Sequence, residues 1–400
     1  MAHIRKRRLP SGKIRWQVNW HAGQTSAAGI GGKGRERGAE MFDTYLEAKT
    51  KLEAVQREKP KTTAPLVDLT THFLAYFERL VEQKQREAST LRQFKQHINL
   101  HILVDKPFAA MKCGAIDTVA IQHYFDRLIE RVSFKMALKV KASLSRIFDH
   151  GTRRGFVTFN PVAGSKIEFT SRPEAGADEH FVLPAKDNLK ALLAAAKRYD
   201  NTGRADAIVR LLMFAGLRMS EFRGLWRSAC QLEEDVARVK IVRRADLYNT
   251  LGPVKSAASL RTIEIGNETA ACLRAWLEAC SVVSDLMFPN EEGNVWNYQN
   301  FWNRFWVPLL NQAGLVTAEP ASRTVREWSQ KQTDYRQPAF GPHMLRHVYA
   351  SLQIEQGVAP KRLQKLMGHA TLKLTLDTYG HLWPDESADR ARAKAVENAL

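Results

Sequence analysis

The sequence predicts a multidomain, mainly α-helical protein with a small α+β domain at its N-terminus. Three observations carry that expectation. At roughly 100–200 residues per domain, a chain of 400 residues divides into two to four domains. Apolar residues recur at helical spacing through most of the chain and alternate with period two only in short stretches. Sixty Lys and Arg stand against 42 Asp and Glu, a formal net charge of +18, while 44% of residues are hydrophobic. That content suffices for real cores and excludes a disordered chain. The positive excess points to a polyanionic partner, nucleic acid foremost.

Residues 1–60 form the first expected domain. Ile14, Trp16, Val18 and Trp20 alternate with Arg15, Gln17 and Asn19, the pattern of a half-buried strand. A loop containing Gly29, Gly31, Gly32 and Gly34 follows. Phe42-Asp43-Thr44 then leads into a helical run, residues 45–59, with Leu46, Ala48, Leu52 and Val55 on its apolar side. The segment holds 13 Lys/Arg and 6 Asp/Glu, and Arg5, Lys6, Arg7 and Arg8 are candidates for DNA contact. Its tryptophans argue against a frayed basic tail, since tails seldom carry them.

Residues 60–65 read as a linker. Residues 66–165 read as all-helical: Leu69, Phe73, Leu74, Phe77 and Leu80 recur at helical spacing. So do Ile121, Phe125, Leu128 and Ile129, and then Leu138, Ala142, Leu144, Ile147 and Phe148. Asn160-Pro161-Val162 closes the stretch. Lys139, Lys141 and Arg146 are further candidates for DNA phosphates, with a solvated charged face as the competing reading. Residues 166–180 form a second linker. The third domain, 181–400, is expected to be mostly helical, with strands near 236–242 and 261–265.

No stretch approaches the roughly 18 apolar residues of a membrane span, and no apolar signal core follows the charged N-terminus. An intracellular, cytoplasmic protein is therefore expected, with no membrane partner. Cys113, Cys230, Cys272 and Cys280 lack CxxC spacing and suit reduced thiols. His343 and His347 are four apart, but Met344 stands where a zinc-protease helix requires Glu. No metal and no cofactor is expected.

The chemistry concentrates in the third domain. An apolar helix end, 208–214, turns at Ala215-Gly216-Leu217 to present Arg218, whose guanidinium can give two parallel donors to a phosphate. Glu221, three residues on, can orient it. Lys255 lies between the two strand regions, where an ammonium could protonate an alkoxide leaving group. Leu345, Val348, Tyr349 and Leu352 define the core face of a helix over 343–356, and His343 and Arg346 are neighbours on its surface. A second helical run ends at Met367-Gly368-His369, and Tyr379 follows ten residues after His369. Together these are two guanidinium clamps, imidazoles and a phenol: the means to cut a phosphodiester without a metal.

In this order and in these local contexts, the residues resemble the tyrosine recombinase (phage-type integrase) family. The most specific parts lie in 343–351 and 368–382. The resemblance implies the tyrosine recombinase fold, and an arm-type DNA-binding domain at 1–60. It also implies a helical core-binding domain at 66–165 and a catalytic domain at 181–400. It assigns Arg218, Lys255, His343, Arg346, His369 and Tyr379 to catalysis, Tyr379 being the nucleophile and His343 able to accept its proton. It further implies double-stranded DNA attachment sites, a homotetramer on DNA, accessory bending or directionality proteins, association with the nucleoid of a bacterial host, and a prophage or genomic island as source. Residues 318–340 depart from the family pattern, as an extra DNA-contacting loop or a surface insertion. The helical tail, 385–400, packs on a neighbouring subunit or on its own domain. The rival readings are a DNA-relaxing enzyme like type-IB topoisomerases and a non-catalytic DNA-binding regulator.

Overall fold

The period-two segment becomes the middle strand of an antiparallel sheet. Strands β1 (His3–Arg8), β2 (Ile14–His21) and β3 (Arg37–Phe42) lie in the order β1-β2-β3, with Trp16 paired to Lys6 on one side and Phe42 on the other. Helix α1 (Tyr45–Arg57) packs against β2, and Val18 and Ala48 are fully buried. Its start is a reciprocal cap: Thr44 Oγ1 accepts from the Glu47 amide, and the Glu47 carboxylate accepts from the Thr44 amide, each at 3.2 Å. Trp16 meets Tyr45 edge-on at 4.8 Å. Leu46, expected on the apolar side, is 72% exposed; one small helix on three strands covers only a narrow stripe. Arg5, Lys6, Arg7 and Arg8 are all exposed.

This computed structural model describes residues 3–8, 14–21, 37–57, 63–162, 181–233, 237–320, 336–383 and 397. The glycine-rich loop, the 166–180 linker, Val236, residues 321–335 and nearly all of 385–400 lie outside the described residues. The chain divides into two compact units, Met1–Ala177 and Asp178–Leu400.

Within the first unit, residues 66–162 are helical as expected. Helices α2 (Leu66–Glu82), α3 (Ala88–His97), α4 (Lys106–Ala110), α5 (Thr118–Ile129) and α6 (Phe134–Arg154) enclose a core that includes Leu69, Phe73, Phe94, Tyr124, Phe125 and Phe148. Helix α6 buries Ala137, Val140, Leu144, Ile147 and Phe148, while Leu138 and Ala142 face outward. The expected stripe was therefore displaced at its N-terminal end, because Ala137 and Val140 continue the buried three-four spacing. Lys139 and Arg146 are exposed and Lys141 is half-buried. The Asn160 side chain donates to the Ser145 carbonyl at 2.8 Å and accepts from the Val162 amide at 2.9 Å, locking the chain's exit.

The second unit is built around α8 (Arg204–Ala215), nearly all of whose residues are buried. Against it pack α7 (Lys186–Tyr199), α10 (Asn267–Ala279) and the later helix α13 (His343–Glu355). Short α9 (Met219–Arg223) follows α8. A sheet of β4 (Cys230–Gln231), β5 (Arg238–Ile241) and β8 (Arg261–Glu264) and a hairpin of β6 (Arg243–Ala245) with β7 (Leu251–Pro253) complete this half. Helices α11 (Tyr298–Phe301) and α12 (Val307–Gln312) precede a paired β9 (Val316–Pro320) and β10 (Arg336–Pro338). The 318–340 departure is therefore closed at its base by strand pairing. Of the basic residues in that segment, Arg323, Arg326 and Lys331 lie outside the described residues. Helices α14 (Pro360–Met367) and α15 (Leu372–Tyr379) end the described fold. Among the described residues, no helix is long and apolar enough to cross a membrane.

Candidate active site

The site is assembled on the C-terminal end of α14. Gly368 closes that helix with a φ of 62°, the left-handed turn that glycine adopts without steric cost. The last carbonyls of a helix have no partners within it. Here three arginines supply them. Arg261 Nε donates to the Leu366 carbonyl at 2.7 Å, Arg346 Nη2 to that of Met367, and Arg218 Nη2 to that of Gly368 at 2.9 Å. The guanidinium charges also oppose the negative end of the helix dipole.

Arg218 reaches this point from the turn after α8. Gly216 has a φ of 57° there, and a Cβ on it would fall 2.3 Å from the Tyr349 ring. Arg346 Nη1 donates to the Gly216 carbonyl at 2.5 Å, so one clamp steadies the turn that presents the other. Glu221 is buried between two guanidiniums. It accepts from Arg218 Nη1 at 2.8 Å and from Arg261 Nη2 at 2.7 Å and Nη1 at 3.0 Å. Burial by itself would raise the pKa of Glu221; the Arg261 hydrogen bonds and the charges of Arg261 and Arg218 override it and hold it at about 2. Burial, then the Arg218 charge, lowers Arg346 to about 9, still a cation at neutral pH. Three guanidiniums thus stand around one carboxylate, two of them hydrogen-bonded to it, and the cluster keeps a positive excess suited to an anion.

The aromatic groups close the other side. Tyr379, at the end of α15, is 1% exposed. Its phenol lies 3.0 Å from His347 Nδ1, and its ring stacks on His369 at 6.3 Å between centroids. His369 Nδ1 hydrogen-bonds to the buried Thr375 hydroxyl at 3.0 Å. Phe181 stacks on His347 at 4.2 Å and meets Tyr379 edge-on at 5.7 Å. Burial pushes Tyr379 up to about 12, against the charges of Arg346 and Arg218. Burial first, then neighbouring positive charge, takes His347 and His369 down to about 4, so both are neutral at pH 7. His343 has an exposed edge, yet burial of its inner face and the charges of Arg346 and Arg218 lower it too. Beside the cluster a cavity of about 380 Å³ is bordered by Arg261, Lys361, Arg362, Lys365 and His369.

Residues 184–386 match the model of the Phage integrase family. The chain belongs to this family. Its curated relatives include the tyrosine recombinase XerC of Pseudomonas aeruginosa, 26% identical over 332 residues that cover 81% of this chain and 96% of the relative. Another is a tyrosine recombinase XerC-like protein of Caldanaerobacter subterraneus subsp. tengcongensis, 23% identical over 77% of this chain and 78% of the relative. Among solved structures, the fold is similar to the Tn1549 transposon integrase in complex with transposon right end DNA, with a TM-score of 0.60, 16% identity, and coverage of 84% of this chain and 100% of that one. It is also similar to the XerH site-specific recombinase in a post-cleavage complex with its difH substrate, with a TM-score of 0.55, 16% identity, and coverage of 85% and 98%.

Of the integrase residues expected from the sequence, Arg218, Glu221, Arg346, His369 and Tyr379 are drawn together, with His343 at the rim. Lys255 is exposed on the segment after β7 and makes none of the contacts that join the others. Three participants were not expected. Arg261 ends the stretch that begins at Lys255, Lys-Ser-x-x-Ser-x-Arg, but nothing there marks it as Glu221's partner. His347 stands out in the sequence only by its zinc-ligand spacing from His343. Phe181 sits at the start of the domain with no motif around it. The phenol hydrogen bond goes to His347, whereas His343 meets the His347 ring edge-on at 5.1 Å.

Proposed function

We propose that this integrase-family enzyme is a site-specific DNA recombinase whose nucleophile is Tyr379. The observation that carries the reading is a phenol enclosed with Arg346, Arg218 and His369 in a cluster that holds more positive than negative charge. A phosphodiester is unreactive because it is anionic and its leaving alkoxide is basic. Arg218 and Arg346 take the nonbridging oxygens and offset the charge that builds on them in the transition state. His343 and His369 add hydrogen bonds to the same oxygens. The Tyr379 oxygen bonds to phosphorus, the bond from phosphorus to the 5′ oxygen breaks, and Lys255 protonates the departing oxygen. The product is a 3′-phosphotyrosine with a free 5′ hydroxyl. Its bond energy is retained, so a second DNA end reverses the step without ATP. The chemistry needs no metal, since guanidiniums supply the positive charge.

The partners in this reading are double-stranded attachment sites, held by a homotetramer with accessory bending or directionality proteins. DNA-bound structural relatives support the choice of DNA. Residues 1–60 serve as the arm-type domain through Arg5, Lys6, Arg7 and Arg8. Residues 66–165 grip the core site through Lys139, Lys141 and Arg146, and 181–400 carry the chemistry. A prophage or genomic island is the source. The test is a nicked suicide DNA carrying the attachment site: the wild type should form a covalent adduct that Tyr379→Phe does not. An adduct of undiminished yield in Tyr379→Phe would remove Tyr379 from the role.

A further inference from the structure

We propose that His347 is the group that takes the proton from Tyr379 during cleavage, an inference that rests on Tyr379 being the nucleophile. The phenol oxygen is the reacting atom, and the ring nitrogen 3.0 Å from it belongs to His347. That distance is within direct proton-transfer reach. His347 is held for the task. It lies one turn after His343 on α13, its ring is stacked under Phe181 at 4.2 Å and 27°, and the His343 ring abuts it edge-on.

The imidazole is neutral at pH 7, lowered to about 4 by burial, His343 and Arg346, so one ring nitrogen is an open acceptor. Against a phenol at about 12, it leaves the proton on oxygen while no anion is bound. A phosphodiester on Arg218 and Arg346 offsets the Arg346 charge, which adds to burial and His343 in lowering the imidazole. The phenol oxygen also loosens its proton as its bond to phosphorus forms. Transfer then accompanies attack: the O–P bond forms, the O–H proton moves to His347 Nδ1, and the electron pair of the breaking P–O bond leaves on the 5′ oxygen, which takes a proton from Lys255. Religation returns both protons. Deprotonation is in this way tied to occupation of the anion site, and the DNA-free enzyme keeps its nucleophile protonated and buried.

The experiment follows single-turnover adduct formation on the suicide DNA from pH 5.5 to 9, with binding to the uncut site measured alongside. His347→Gln keeps the bulk and a hydrogen-bonding group but accepts no proton, and His347→Asn is the second variant should the first fail to fold. Both should bind DNA normally and cleave about 10²-fold or more slowly at pH 7. Their rate should climb with pH as hydroxide replaces the imidazole, where the wild type is flat. A substrate with sulfur at the 5′ bridging position needs no acid for its leaving group; it should relieve Lys255→Ala but not the His347 variants. Cleavage by both variants within a few-fold of wild type at every pH, or relief of their defect by sulfur, overturns the assignment. If instead Tyr379→Phe still forms the adduct, it is the nucleophile reading that fails.

Discussion

Asp105 in the helical module and Glu221 in the second unit are both buried carboxylates tied to arginine, and the difference between their surroundings separates architecture from function. Asp105 Oδ1 caps α4 by accepting the Phe108 amide at 3.1 Å, and its carboxylate takes Arg127 Nε at 2.7 Å and Nη2 at 3.0 Å. One cation meets one anion, the Arg127 side chain is 46% exposed, and the charges cancel. Glu221 instead stands between Arg218 and Arg261, with the buried Arg346 beside them. Two buried arginines and a third, partly exposed one around a single carboxylate is a costly arrangement for stability alone. It becomes sensible if an anion completes it.

Breaking that imbalance should have the largest effect. Arg346→Ala should lower adduct formation by about 10²–10³-fold on a denaturing gel, while uncut DNA still binds. Glu221→Gln should come next: removing the one anion leaves Arg261 buried without its countercharge, at a cost of about 3–5 kcal/mol in urea unfolding. Glu221 also predicts an acid limit. Its folded value of about 2 lies below the ordinary 4.5, so its stabilisation is complete above pH 4.5 and is lost as pH falls towards 2. About 3 kcal/mol is at stake, and Glu221→Gln should flatten that part of the stability profile. In the helical module, Arg127→Ala should cost only about 1 kcal/mol, since the arginine is half in water. The smallest effect should come from Thr375→Val. Freeing His369 Nδ1 should slow cleavage by about tenfold and leave the melting temperature almost unchanged.

Much of this was legible in the sequence, where local spacing decides the outcome. The core face of α13 follows from Leu345, Val348 and Tyr349, and the Gly216 and Gly368 turns follow from what glycine alone can do. Leu138 shows the limit of spacing: a short apolar stripe on α6 can be drawn from Leu138 or from Ala137, and only packing chooses. Arg261 shows another. Its value comes from the end of α14, 105 residues away in the chain, and no local pattern announces a guanidinium that satisfies a distant helix carbonyl. His347 was visible as one of a histidine pair, but its partner is the phenol, and that pairing exists only once α13 and α15 meet. Lys255 is the converse case, singled out in the sequence yet left exposed and apart from the cluster.

The most direct test of the central claim is to digest the adduct trapped on suicide DNA, formed in the presence of EDTA, and identify the DNA-linked peptide by mass spectrometry. The account predicts a single linkage, from the Tyr379 oxygen to a 3′ phosphate, with a 5′ hydroxyl on the released strand. Linkage through another residue, a 5′-phosphoryl attachment, or an adduct that forms only when a divalent ion is restored would contradict it.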